Sequence, residues 1–278
     1  VTSRRHSSLI STALVGIEIL RTEGLLAALR AGLRLCNLNY QGYSVYLNYL
    51  YRRHVRGHRL TDPFTVLRVD PSSIQRLPST RVDRWSDIGA VWDGDWDRST
   101  EPLETRDKYR SLVDRFEHGR SWEQTAVYRE AMDRIDEGGT YWNGCRTPED
   151  VRERTRHVDD LYDRIRTHGF QSQEEQHQRP LRSIVVSRTF DRSKEEIAVA
   201  VGRDGEFLFV DGHHRLAIAH LLDLELISVH VIVRHAQWQD IRDEVADARS
   251  IDELSSRARE ALDHPDVEAA VAFSEETA

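Results

Sequence analysis

Residues Asp211-Gly212-His213-His214-Arg215 place an acid, a glycine, two imidazoles and a guanidinium side by side. That set can hold a phosphate. Arg215 can pair with phosphate oxygens through two parallel hydrogen bonds. His213 and His214 can donate to phosphate or polarise a transferring group, although either can instead be structural, bonded to a neighbouring backbone group. Asp211 can orient a histidine or hold Mg²⁺ beside phosphates, or serve simply as a helix N-cap. Gly212 lets an anion approach the backbone closely. The bland alternative is an ordinary turn with a surface arginine.

The flanking sequence decides where these side chains stand. Residues 207–210, Phe-Leu-Phe-Val, read as a buried strand, and Leu216, Ala219 and Leu222 recur at helical spacing. The five residues therefore sit where a strand becomes a helix. A helix start offers unpaired N–H groups and the positive end of the dipole. A second group of candidates lies in Trp92-Asp93-Gly94-Asp95-Trp96-Asp97. Asp95 or Asp97 can supply a base or a Mg²⁺ ligand opposite the phosphate turn, or the segment is a solvated acidic turn packed by its tryptophans. Arg234 and His235 end a strand and either reach the same pocket or lie on the surface. The histidines at 213, 214, 220, 230 and 235 suggest zinc, but His213 and His220 stand about 10 Å apart along a helix, too far to share one ion. No metal site is expected.

The 278 residues can bury a real core, and 39 % hydrophobic with 31 % charged residues is a soluble composition. The net charge of −8 is uneven. Residues 1–60 carry nine arginines and no lysine against Glu18 and Glu23, a balance of +7 that leaves −15 for the rest. Such a basic end can meet nucleic acid, an anionic membrane or an acidic partner, or pack on the protein's own acidic surface. Charged residues interrupt the apolar stretch 9–35, so neither a spanning helix nor a signal peptide is expected. Leu25, Leu29 and Leu33 suit an amphipathic helix there. Lys108 and Lys194 are the only lysines in an arginine-rich chain. Cys36 and Cys145 form neither a disulfide framework nor a metal motif, which makes a reducing cytoplasm the default.

Along the chain, residues 64–69 read as a strand closed by Asp70-Pro71, and residues 88–92 as a short one. Residues 103–169 look helical, with a capping box at Ser121/Gln124, a break at Gly138-Gly139, and a new start at Thr147-Pro148-Glu149-Asp150 that runs to a cap at Gly169. Residues 171–179 read as a loop. Apolar runs at 184–186 and 197–201 follow, and Asp204-Gly205 turns a hairpin into residues 206–210. A strand at 227–233 and a helical tail from Trp238 complete the pattern, with a second capping box at Ser250/Glu253.

The order of a helix ending in Gly169, strand, hairpin, Asp211-Gly212-His213-His214-Arg215, helix and strand resembles the ParB/sulfiredoxin-like superfamily. The match covers about half the chain. Residues 161–170 resemble the family's helix before the sheet, residues 64–74 its leading strand and one-turn helix, and residues 221–233 its closing helix and strand. The resemblance implies an α+β fold with a mixed sheet at 61–235 and a helical insertion at about 101–146. A basic helical extension at 1–60 and a helical tail at 236–278 flank it. It also implies a nucleotide, ATP, ADP or CTP with Mg²⁺, held by Asp211, Gly212, His213, His214 and Arg215. His213 stands where sulfiredoxins carry their catalytic Cys, so sulfiredoxin repair is excluded. Partition proteins carry Gly-Glu-Arg-Arg at this turn and a following helix-turn-helix, neither of which is present. The Asp-Gly-His-X-Arg form resembles the free-serine-kinase-like members. A phosphotransferase or nucleotide hydrolase is the implied activity, with His213, His214, Asp95 and Asp97 as candidate catalytic groups. The alternative is a nucleotide-responsive regulator without turnover that contacts DNA or a partner through residues 1–60.

Overall fold

The structure is a computed structural model. It describes residues 65–98, 100–142, 144–172 and 196–268, together with Arg53, Thr61 and several positions between 14 and 29. The apolar run at 184–186, Leu33, and most of the basic extension lie outside the described residues. So do residues 173–179 of the expected loop and the end of the tail. Among the described residues of the extension, 16–22 are helical, and Leu25 and Leu29 are exposed. No helix among the described residues is long and apolar enough to cross a membrane.

Among the described residues, seven strands form one mixed sheet: β1 (Val66–Val69), β2 (Arg76–Leu77), β3 (Ala90–Trp92), β4 (Glu101–Pro102), β5 (Ile197–Val201), β6 (Phe207–Asp211) and β7 (Ile227–His235). The spatial order is β1-β7-β5-β6-β2-β4, and β3 pairs with β7 beyond β1. β1 runs antiparallel to residues 227–230 of β7, whereas β3 runs parallel to its residues 233–235. β5 is parallel to β7 and antiparallel to β6. The architecture is α+β.

The sequence of β5, Ile-Ala-Val-Ala-Val, explains why it lies in the middle. Successive side chains point to opposite faces. Ile197, Val199 and Val201 enter the main core with Leu216, Trp238 and Ile241, while Ala198 and Ala200 meet Trp96 and Leu208 on the other face. Both faces are covered, so every residue of β5 is fully buried. The turn from β5 into β6 needs Gly205, whose φ is +87° and whose absent Cβ would fall 2.7 Å from the Trp238 ring.

The α-helices that accompany the sheet among residues 65–268 as described are α1 (Asp107–Phe116), α2 (Ala126–Asp136), α3 (Pro148–His168), α4 (His213–Leu221), α5 (Ala236–Asp247) and α6 (Ser256–Glu260). α3 begins as its sequence prescribes. Thr147 Oγ1 accepts from Asp150 N–H at 3.2 Å, the Asp150 carboxylate accepts from Thr147 N–H at 3.0 Å, and Pro148 sits where no donor is needed. Gly169, at φ +76°, ends it. The other two expected capping boxes behave differently. Ser121 N–H does donate to Gln124 Oε1, yet the pair opens only the 3₁₀ turn Trp122–Gln124, and α2 starts after Thr125. Ser250 makes no side-chain cap; Glu253 instead accepts from Arg249 N–H at 2.9 Å ahead of a 3₁₀ turn.

α4 joins two cores. Its Leu216 and Ala219 face the sheet, whereas Ala217 and Ile218 face a second core built by α1, α2 and α3 around Leu112, Trp122, Trp142 and Val158. All four α4 side chains are fully buried. The helical layer thus packs on the helix that follows the Asp211-Gly212 turn. Residues after 235 belong to the main core as well, since Trp238, Ile241 and Val245 of α5 pack against the sheet.

Candidate functional site

The Asp211-Gly212 turn leaves β6 and starts α4, and it opens onto a cleft of about 280 Å³. Arg84, Lys108, Arg154, Leu161, Asp211, Gly212, His213, His214 and Arg215 line that cleft. Arg84 comes from the loop before β3, Lys108 from α1, and Arg154 and Leu161 from α3. Four cations therefore converge on the first turn of α4, which has no side-chain cap.

Gly212 is required by the fold itself. Its φ is +105°, and an added Cβ would fall 3.1 Å from Ile197 Cα in β5. The glycine expected to admit an anion is thus explained by backbone conformation and by close packing on β5. Gly212→Ala is expected to lose about 1–3 kcal/mol of stability, the usual cost of forcing a side chain into such a conformation. Urea unfolding of the two proteins measures this, and equal midpoints would contradict it.

Asp211 is tied on both oxygens. Oδ1 accepts from Gly212 N–H at 2.8 Å and Oδ2 from Arg84 Nη1 at 2.8 Å. Burial alone would raise its pKa, but Arg84 and the Gly212 N–H outweigh burial, so the carboxylate stays below its ordinary value. Arg84 also donates to the Glu196 carbonyl at 3.1 Å, and its buried Nε has no partner. Arg215 lies 3.4 Å from Glu196 Oε2, whose side chain is 3 % exposed.

Both histidines are neutral at neutral pH. Burial, reinforced by Lys108, lowers His213 to about 4; burial, reinforced by Arg154 and Lys108, lowers His214 to about 3. His213 packs edge-on against Phe209 at 4.6 Å between centroids. His214 Nε2 is met by the Trp142 indole N–H at 3.0 Å. Burial likewise pushes Lys108 and Arg154 below their ordinary values, and the Arg154 Nε is buried without a partner. The cleft is an open recess whose wall carries four cationic side chains and one carboxylate.

The other expected site residues stand elsewhere. Asp97 is 5 % exposed, and its oxygens accept from Arg203 Nε at 2.8 Å, Nη2 at 2.7 Å and backbone N–H at 2.8 Å. Burial opposes its charge, but the Arg203 bonds hold it at about 2. Asp95 also accepts from Arg203 Nη2, at 2.7 Å, and neither acid lines the cleft. His235 is fully buried and donates from Nε2 to the Gly94 carbonyl at 2.8 Å, which fastens the same acidic loop. Arg234 is fully buried against Asp266. His220 donates from Nε2 to the Pro71 carbonyl at 2.7 Å and receives the Tyr109 hydroxyl at 3.0 Å. Among the described residues, no group of three or more His, Cys, Asp or Glu is placed to hold a metal ion.

Arg84, Lys108, Trp142 and Arg154 were not legible as site residues in the sequence. Lys108 is one of two lysines in the chain, with Lys194, and that scarcity alone does not mark a site residue. Compared with family models, with curated proteins and with solved structures, the chain gives no match in any of the three.

Proposed function

We propose that this protein binds the phosphate end of a nucleoside di- or triphosphate, ATP, ADP or CTP, at the start of α4, and transfers or hydrolyses a phosphoryl group there. The observation that carries the reading is the convergence of Arg84, Lys108, Arg154 and Arg215 on an uncapped helix N-terminus. Fixed cations and helix N–H groups stabilise phosphate charge without reorganising. The mixed sheet with a strand, turn and helix at 207–221 also supports a ParB/sulfiredoxin-like assignment.

The lining does not fit a protein-held Mg²⁺. Asp211 is the one carboxylate on the cleft wall among the described residues, and both of its oxygens already accept hydrogen bonds. Neutralising the transferring phosphoryl falls instead to the arginines and Lys108. His213, a neutral imidazole on the wall, takes the proton of the attacking hydroxyl or water as the new O–P bond forms. The bond from phosphorus to the nucleotide's bridging oxygen breaks, and the electron pair leaves with the shortened nucleotide. Negative phosphate beside His213 raises its proton affinity and suits it to that role.

The alternative is a regulator that binds nucleotide without turnover and meets nucleic acid or an acidic partner through the +7 segment 1–60. Phosphorus NMR of ATP, ADP and CTP, each incubated with the chain alone and with free amino acids or sugars, separates the two. A shortened nucleotide that appears with wild type and is lost in His213→Gln supports the enzyme. Tight binding with every nucleotide unchanged favours the regulator, and a salt-sensitive gel shift on DNA then tests the basic segment. Failure of every nucleotide to bind overturns both readings.

A further inference from the structure

One spot in the cleft brings two hydrogen-bond donors together. The Trp142 indole N–H lies 3.0 Å from His214 Nε2. An indole nitrogen only donates, so Nε2 accepts and carries no proton. The imidazole is neutral, so its proton sits on Nδ1. Arg154 Nη2 lies 3.4 Å from that same Nδ1. A guanidinium also only donates. The two N–H groups therefore face one another, and their contact is not a hydrogen bond. Arg154 Nε, buried and without a partner, is a further unsatisfied donor on the same guanidinium. Buried donors without an acceptor cost free energy. An oxygen bearing lone pairs and negative charge resolves the conflict.

We infer that a phosphate oxygen of the ligand is held between His214 Nδ1–H and the Arg154 guanidinium, and that Trp142 is the positioning residue that fixes the donating tautomer of His214. This rests on the phosphate reading of the cleft and deepens it. Every group at this position donates, so the oxygen it takes is unprotonated, as in a dianionic terminal phosphate. Trp142 is suited to the task. It is 2 % exposed, packs in the helical core with its ring tilted 50° to that of Trp122 at 5.6 Å between centroids, and holds a backbone φ of +44° that an aromatic residue rarely adopts. The helical layer consequently supplies a wall of the site, with Lys108 on α1 and Arg154 on α3, while Trp142, after α2, stands behind His214.

Long-range proton–nitrogen NMR of the imidazoles in the full chain tests this, with pyrophosphate as the probe. Wild type is expected to show His214 protonated at Nδ1 and bare at Nε2. Pyrophosphate is expected to shift both the Nδ1 proton and the Arg154 Nε–H. Trp142→Phe keeps an aromatic ring but removes the donor. It is expected to move the proton to Nε2, to let Nδ1 accept from Arg154, and to weaken pyrophosphate about tenfold. A wild-type His214 protonated at Nε2 overturns the inference without recourse to any variant. So does pyrophosphate binding that leaves the His214 and Arg154 signals unmoved, and in both cases the cleft remains a phosphate site. If wild type binds no pyrophosphate and no nucleotide, the phosphate reading falls too.

Discussion

Arg154→Met is expected to raise, or leave unchanged, the melting temperature of the ligand-free protein while weakening phosphate binding about 10- to 150-fold. The two effects have one cause. Arg154 reaches the cleft from α3 with a buried Nε that meets no acceptor, and burial disfavours its charge. A charge held in that way costs stability until a counter-charge arrives. Methionine keeps the apolar stem and removes the cost. It also removes charge-assisted bonds to the ligand, worth about 1.5–3 kcal/mol, which sets the expected loss of affinity. Opposite movements of stability and binding distinguish a ligand-holding residue from a structural one, since loss of a structural arginine lowers both. Arg215 gives no such separation, because it lies 3.4 Å from the buried Glu196 carboxylate. Thermal melts in the absence of ligand, paired with titrations of both proteins, check this. A lower melting temperature together with unchanged affinity would contradict it.

Asp266→Asn is expected to cost about 3–5 kcal/mol, the usual effect of breaking a buried ion pair. For a chain of this size that is on the order of 10 °C in melting temperature. Asp266 and Arg234 are both fully buried, joined by two bonds of 2.8 and 2.6 Å. The Trp238 indole donates to the same carboxylate at 3.0 Å, and Arg242 Nε donates to the Asp266 carbonyl at 2.8 Å. This cluster ties β7 and α5 to the chain after α6. Burial alone would raise the Asp266 pKa, but Arg234 and Arg242 hold it at about 2. A carboxylate whose folded pKa lies below its unfolded value stabilises fully above about pH 4, and that stability is lost as pH falls through the folded value. Asp97, held at about 2 by Arg203, acts in the same direction over the same range. Wild type should therefore lose stability between about pH 4 and 2, and Asp266→Asn should lose less over that interval. Denaturant midpoints at pH 7, 4 and 2.5 measure both, and parallel profiles for the two proteins would contradict the assignment.

What could be read from the sequence follows from how local each signal is. The start of α3 at Thr147-Pro148 and its end at Gly169 were legible because capping chemistry lies within a few residues. β5, β6, the Asp204-Gly205 turn and α4 were legible for the same reason. β2 and β4 are two residues each and show no periodicity to detect. The site was half legible. Asp211 through Arg215 share one turn, whereas Lys108 and Arg154 arrive from helices more than fifty residues away on polar faces crowded with other charges. The Asp93–Asp97 loop looked like catalytic carboxylates because composition cannot reveal that a single arginine, Arg203, occupies two of them. Trp142 carried no local signal, because its bond to His214 spans 72 positions.

The central claim is that the cleft at the start of α4 binds phosphate through cations from both layers. Calorimetric titration of the wild-type chain and of Arg154→Met with ADP, ATP, CTP and pyrophosphate at neutral pH tests it most directly. The account predicts saturable one-site binding to wild type, weakened by salt, and 10- to 150-fold weaker binding to the variant. No binding by any of the four anions, or equal affinity for the two proteins, would contradict it.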